Sequence, residues 1–302
     1  MGVLSITNQF GGLNHMVEVR NESGITQVAE NVDRVAALEF SFVDDLLALD
    51  IKPAAIADDG NKENLFEAVR TQIGEYVSLG DRNNPDLDAL REAEPQLIIA
   101  DGERHHKIYR DLEKIAPTIL LESFDGDYKQ NLESFELIGK AVSKEQKAKT
   151  RVAVHEQKIK QIEEGITLDK SLGTLAAVVT DNHIVGHDAN SYVGQFLKRL
   201  GFKMAITQAD SKTYPEYKDG PYLKLTDEQL KTLNPERLIL MVDDENADAL
   251  EELRQSEVYN SINAKKNGRI HFVNRELWAK SRGLVASEHI AEDLSLIHIS
   301  ER

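Results

Sequence analysis

The chain has 302 residues, 41% of them hydrophobic, and a formal net charge of −16. At roughly 150 residues per domain the length suits about two domains, and the acidic balance argues against nucleic acid, whose phosphates need clustered Lys and Arg. The absence of cysteine rules out disulfides, thiolate-held iron–sulfur clusters and thiol catalysis.

No stretch approaches the ~18 consecutive apolar residues of a spanning helix. The opening MGVLSITNQFGG has no basic segment followed by an apolar one, so no signal peptide is read there. The chain is therefore expected to be either cytosolic or the mature form of an exported protein.

Taken in order, short apolar runs at 35–38, 54–57, 96–100 and 118–121 read as strands of a first half. Runs at 174–179, 204–207, 238–242 and 270–273 do the same for a second. Amphipathic stretches at 42–49 and 192–200 sit between them. Continuous apolar strands alternating with helices predict parallel sheets covered by helices, hence two α/β lobes.

Between the lobes, Ser143 and Gln146 have the spacing of a capping box,. From Lys144 to Glu164 there is no Gly or Pro, and Val152, His155, Ile159 and Ile162 recur at helical spacing,. A helix of about 20 residues is about 30 Å long, so the connector is expected to be a rigid strut. The boundaries predicted are a first lobe over 18–142, the linking helix over 143–165 and a second lobe over 166–294. Residues 295–302 are read as an appended tail.

The lobes echo each other. Asp88 and Glu228 each lie seven residues before a proline, at the start of a short predicted helix that leads into a strand. Asn84 before Pro85 reads as an N-cap with Pro in the first turn, and Thr226 with Gln229 as a capping box. Acidic residues also favour first turns for macrodipole reasons alone, so the echo has a plain structural reading too.

Five segments carry a resemblance: RVAALEFSFVDDLLALD from Arg34; LGDRNNPDLDALREAEPQLIIAD; GERHHKIYRDLEKIAPTILL; NHIVGHDANSYVGQFLKRLGF; and NRELWAKSRGLVASEHIAEDL. Together they span about residues 18 to 294 and resemble siderophore-binding proteins of ABC importers, in their ferric dicitrate branch. The sequence departs from that pattern in Pro95-Gln96, in Pro235-Glu236 and in Asp88, one methylene shorter than the usual Glu.

The resemblance implies two three-layer α/β lobes joined by one long helix, with a ferric chelate held in the cleft between them. It implies no enzyme activity, no cofactor and a monomer outside the cytoplasm, lipid-anchored or periplasmic. It also implies docking on the transmembrane subunits of an ABC permease through one carboxylate per lobe, by position Asp88 and Glu228.

Ferric citrate surrounds its iron with citrate oxygens, so the protein need supply no metal ligand. What it must recognise is carboxylate, and arginine does so bidentately. Arg82, Arg104 and His105 follow first-lobe apolar runs, and Trp278 and Arg282 follow the last one. These are the positions where open α/β sheets bind ligands.

The resemblance adds His187 and Ser191 on a second-lobe loop. Lys107, Lys212 and Tyr214 are possible further contacts. Each residue has a plainer reading: loop arginines are commonly solvated, a single Trp commonly packs in a core, and adjacent His105 and His106 do not share a helix face.

Other classes were weighed. The same fold can carry a different siderophore, haem or cobalamin; haem needs an axial His or Tyr, whereas three arginines favour a compact carboxylate-rich cargo. No G-x-S-x-G, H-E-x-x-H or P-loop occurs,, and Asp58 and Asp59 have no histidine at metal-site spacing. A scaffold module that uses the cleft for a protein partner is the third class.

Overall fold

The computed structural model describes residues 15–180, 183–206 and 220–297. Lys212 and Tyr214 lie outside the described residues, as does the end of the strand expected over 204–207. Of that strand, an isolated bridge between Thr174 and Met204 is present.

The chain begins with a hairpin, β1 (Met16–Asn21) and β2 (Gly24–Ala29), that the sequence reading missed. Only one residue of each strand, Val19 and Val28, is buried, so the apolar signal is too sparse to register. The strands β3 (Val35–Ala37), β4 (Ala55–Ile56), β5 (Val77–Ser78), β6 (Leu97–Asp101) and β7 (Thr118–Leu121) form an all-parallel sheet in the order β5-β4-β3-β6-β7. Every residue of β3, β6 and β7 is buried, as a sheet covered on both faces requires. The hairpin caps the β7 edge: Glu22 N donates to Leu120 O (3.1 Å) and Leu120 N donates to Asn21 Oδ1 (3.1 Å). An edge so covered cannot recruit another chain.

The second sheet holds β8 (Thr174–Thr180), β9 (His183–His187), β10 (Tyr222–Leu225), β11 (Arg237–Val242) and β12 (Ile270–Asn274), in the order β10-β9-β8-β11-β12. Here the expectation of a purely parallel sheet is corrected. Strands β8, β11 and β12 are parallel, but β9 runs antiparallel to both β8 and β10. A two-residue connection follows β8, and a connection that short permits only an antiparallel return.

The helix Glu145–Glu164 links the two sheets. Its inner face buries Ala148, His155 and Ile159, with Val152 and Ile162 packed beside them. The expected capping box is absent. Ser143 has a left-handed backbone (φ 59°) and spends its hydroxyl accepting from Asn31 N at 3.0 Å. The first-lobe cap is also one residue pair later than expected: Asp86, rather than Asn84, accepts from Asp88 N and Ala89 N. The Thr226–Gln229 box is present in full.

The last helix, Leu284–Ile297, takes in residues 295–297 of the expected tail. It packs against both the linking helix and the first-lobe helix Phe40–Ala48. Its N-terminus is capped by a distant residue: Asp44, fully buried, accepts from Val285 N (2.9 Å) and Ala286 N (2.8 Å). Gly283 lies against this carboxylate. A Cβ there would sit 2.2 Å from Asp44 Cγ, so Gly283→Ala must displace the cap. Overpacking and a lost cap together are expected to cost about 2–4 kcal/mol, read as a lower urea midpoint with unchanged slope.

Farther along, Glu288 accepts from Arg151 Nη2 (2.9 Å) and from His155 Nδ1 (2.8 Å), while Tyr128 Oη meets His155 Nε2 at 2.6 Å. Burial works against ionising Glu288, but the hydrogen bonds from His155 and Arg151 outweigh it and bring the carboxyl down to about 2. Burial pushes Asp44 the other way, up to about 7, against the pull of its two backbone donors.

These opposite shifts give stability a direction with pH. Asp44 keeps a proton in the folded state that an unfolded chain, with a pKa near 3.8, has already released, so stability falls as pH rises from about 4 to 7. Glu288 contributes stability above its unfolded value of 4.5 and loses it as pH falls toward 2. The melting temperature is therefore expected to peak near pH 4, where the two slopes cancel, and to fall on both sides,. A melting temperature that is flat or still rising from pH 5 to 8 would contradict the Asp44 assignment.

Candidate functional site

The site gathers at the carboxyl ends of the first-lobe strands. The chain leaves β3 toward β4 and later returns on the other side at β6, so the loops after β3 and β6 diverge, the position at which open α/β sheets bind ligands,. Glu39 lies two residues beyond β3, and Arg104 lies three residues beyond β6.

Glu39 has no exposed surface. A buried carboxylate needs partners, and it has two arginines. Arg82 Nη1 lies 3.3 Å from Oε2, and Arg104 Nε lies 2.5 Å from Oε1, the latter an ion pair without hydrogen-bond alignment. Arg82 also grips Asp59 (Nη2–Oδ2 2.9 Å, Nε–Oδ2 3.0 Å), and its backbone N donates to Asp59 Oδ1 at 2.9 Å. Each guanidinium rests on a ring, Arg82 3.9 Å from the centre of Phe40 and Arg104 4.0 Å from that of Phe124.

The second lobe meets this cluster at the same ring. Arg282 lies 5.1 Å from the centre of Phe124 and 5.7 Å from that of Tyr222, and the Tyr222 hydroxyl donates to Phe124 O. Arg282 is 7% exposed, and its Nη1 has no hydrogen-bond partner among the described residues. Its backbone is left-handed, φ 52°, a conformation that costs a non-glycine residue about 1 kcal/mol and is kept where surroundings demand it. Asp125 feels its charge: burial and the neighbouring Glu103 and Asp101 carry the Asp125 carboxyl up to about 6, with Arg282 pulling it down.

His187 joins from β9. It is buried, with its ring edge-on to Tyr222 at 4.8 Å. Burial, and then the charges of Arg282 and Arg275, bring its pKa down to about 3, so the imidazole is neutral at any ordinary pH. Ser191, fully buried, caps the next helix by accepting from Gly194 N at 2.9 Å.

Two expected site residues serve other purposes. His105 is fully buried with both ring nitrogens engaged, Nδ1 accepting from Asp101 N (2.8 Å) and Nε2 facing Arg82 O (2.7 Å). It therefore locks the Arg82 loop onto β6 and has no donor left for a ligand. Trp278 has no exposed surface and donates from Nε1 to Asp293 Oδ2 at 2.8 Å. It belongs to the core beneath the last helix, so its fluorescence reports the fold rather than an occupied cleft. His106 and Lys107 are exposed on the outer surface.

Sequence reasoning missed Glu39, Asp59, Phe40, Phe124 and Tyr222. Only Glu39 left a signal, a lone carboxylate inside the apolar run RVAALEFSF.

The lobes also meet elsewhere. Lys280 reaches Asn64 Oδ1 (3.2 Å) across the gap while lying 3.5 Å from Asp243. A groove of about 950 Å³ borders this bridge, walled by Glu63, Glu67, Asp243, Asp244, Glu276 and Asp293. Carboxylates outnumber cations on its lining, where Arg70 and His289 also lie.

The exposed faces carry Asp88 and Glu228, each the second residue of a helix, Leu87–Glu92 and Asp227–Leu233. Among the described residues, Asp88 pairs only with its neighbour Arg91, at 2.6 Å.

Three comparisons with known proteins bear on the family and the fold. The sequence pattern of the family described as periplasmic binding protein matches residues 35–276. The Fe(3+)-citrate-binding protein YfmC of Bacillus subtilis is 33% identical over 91% of this chain and 84% of its own. The Fe(3+) dicitrate-binding periplasmic protein FecB of Escherichia coli is 30% identical over 91% of this chain and 88% of its own. Among solved structures, Staphylococcus aureus SirA complexed with staphyloferrin B superposes with a TM-score of 0.78 at 22% identity, covering 92% of this chain and 96% of that one.

Proposed function

Because the chain belongs to the periplasmic binding protein family, whose members here are substrate-binding proteins and not enzymes, we propose that it captures ferric citrate between its lobes and delivers it to an ABC-type permease. The observation that carries this reading is Arg282, a buried guanidinium whose Nη1 has no hydrogen-bond partner among the described residues and which shares the Phe124 ring with Arg104 of the other lobe. A desolvated cation of that kind calls for an anionic acceptor, and carboxylate fits its fork.

Ligand contacts fall to Arg82, Arg104, Arg282 and His187, with iron held by citrate oxygens. Asp88 and Glu228 serve as the docking carboxylates. The names of YfmC and FecB support the cargo. A monomer working outside the cytoplasm, lipid-anchored or periplasmic, completes the reading.

Calorimetric titration tests it. Saturable binding of ferric citrate at submicromolar concentration, with iron-free citrate, a ferric catecholate and haemin bound at least tenfold more weakly, is the expected result. Saturation by the catecholate or haemin in its place would keep the family role and overturn the cargo.

A further inference from the structure

Arg282 brings its charge to the boundary between the lobes, and a first-lobe carboxylate lies within its field. This is Asp125, on the loop after β7 and next in the chain to Phe124, the ring on which Arg282 rests. Asp125 is half-buried, and its Oδ1 is closed off from solvent with no hydrogen-bond partner among the described residues. The second lobe supplies the cover. A Cβ on Gly220 (φ +67°) would sit 2.9 Å from Asp125 Oδ1, and two residues on, the Tyr222 hydroxyl donates to Phe124 O. A cation and a carboxyl from opposite lobes thus share one boundary, each with an unsatisfied atom.

The groups around Asp125 are mostly acidic. Burial acts most strongly on its carboxyl; Glu103 and Asp101 beside β6 and Glu122 on its own loop also favour the protonated form, while Arg282 opposes it, and the balance stands at about 6. Tyr222 faces it from the second lobe, Arg104 lies against the Phe124 ring, and Glu22 of the first hairpin and Asp127 act on Glu122. An anion accepted by Arg282 adds further negative charge here, and ferric and iron-free citrate are both anions. Ligand and ionised Asp125 therefore contend for one guanidinium, and like charges held close in a half-buried site repel. Protonation removes the conflict and turns the carboxyl into a donor for a carboxylate oxygen.

We propose, resting on the reading above, that Asp125 is the ligand's internal competitor at Arg282, and that capture of an anionic chelate is coupled to the uptake of a proton by its carboxylate. The proton comes from solvent and bonds to a carboxylate oxygen of Asp125; the ligand carboxylate then takes over the charge of Arg282. By linkage, a ligand that binds the protonated form better raises the proton affinity of the group it contacts. The coupling acts on any anion at this guanidinium, with or without iron.

The test is the affinity of Asp125→Asn divided by that of the wild-type protein, measured by calorimetry with one ferric citrate solution near pH 5 and again near pH 7.5. Titration of the chelate itself, and of Glu22 and Glu122, enters both proteins and cancels in the ratio. Near pH 5 the wild-type carboxyl is already protonated, so the ratio is expected to stay within about twofold of unity. Near pH 7.5 it is ionised, and the variant is expected to bind about tenfold more tightly than wild type. Damage to the fold does not produce a gain of affinity that grows with pH. A ratio that is equal at the two pH values, or that falls as pH rises, overturns the proposal.

If Asp125→Asn does not fold, the pH trend of the same ratio in Asp125→Ser decides. Failure of the cargo reading looks different. If wild type binds no ferric citrate at either pH but binds the ferric catecholate, the cargo reading falls and the ratio is measured with that chelate, also an anion. If it binds neither, the pairing is read without a ligand. An NMR titration of the Asp125 carboxyl carbon is expected to show a midpoint near 6 in the wild-type protein and a higher one in Arg282→Ala, which lacks the opposing charge. A midpoint that does not move in Arg282→Ala overturns the proposal.

Discussion

Arg282→Ala is expected to weaken ferric citrate binding at least tenfold while leaving the melting temperature unchanged or slightly raised. The lost contact is a charge-assisted bond in a desolvated site, worth about 1.5–3 kcal/mol, or roughly 10- to 150-fold in affinity. Stability should change little, because Arg282 has no carboxylate salt bridge among the described residues, and the relief of removing a buried unpaired charge offsets the lost contacts with the Phe124 and Tyr222 rings,. Alanine inherits the left-handed backbone, so that strain cancels between wild type and variant. Arg104→Ala provides the contrast. It leaves Glu39 with one arginine in place of two, so binding and melting temperature should both fall. Unchanged affinity in Arg282→Ala would remove that residue from the site.

The second large effect separates capture from delivery. Asp88→Ala combined with Glu228→Ala is expected to leave ferric citrate affinity intact and to abolish iron uptake by cells that depend on this protein. Neither carboxylate caps its own helix; Asp86 and Thr226 do. Both are exposed, and the Asp88–Arg91 pair lies on the surface, where such pairs are worth about 0–1 kcal/mol. The double variant should therefore fold and bind normally. Normal uptake by cells carrying it would end the docking assignment.

Several of these features were legible in the sequence because burial leaves a mark. Strands β6 and β7, buried throughout and mostly apolar, and the linking helix, with its 3.6-residue period, stood out from their residue types alone. Strands that bury one residue in six did not, and neither did the reversal at β9, whose direction depends on the short turn after β8 rather than on composition. The arginines were legible as residue types after strand ends, and three of them meet in space. Their partners were not, since Phe124 and Tyr222 lie 98 residues apart in the chain and nothing local announces that their rings will frame a guanidinium. His105 and Trp278 were misread for a common reason: a loop position suggests access, and only packing reveals that both side chains turn inward.

The cap that Asp44 places on the last helix joins residues 241 and 242 positions apart. The ribosome makes the first lobe's helix early and its partner almost last. Loop closure over such a separation slows folding, and a domain that could otherwise consolidate during synthesis must wait for the end of the chain. Order of manufacture and order of assembly are thus uncoupled. The nascent first lobe, its Asp44 carboxylate still without the helix it caps, remains the open and chaperone-accessible part of the molecule until residues 284–297 arrive.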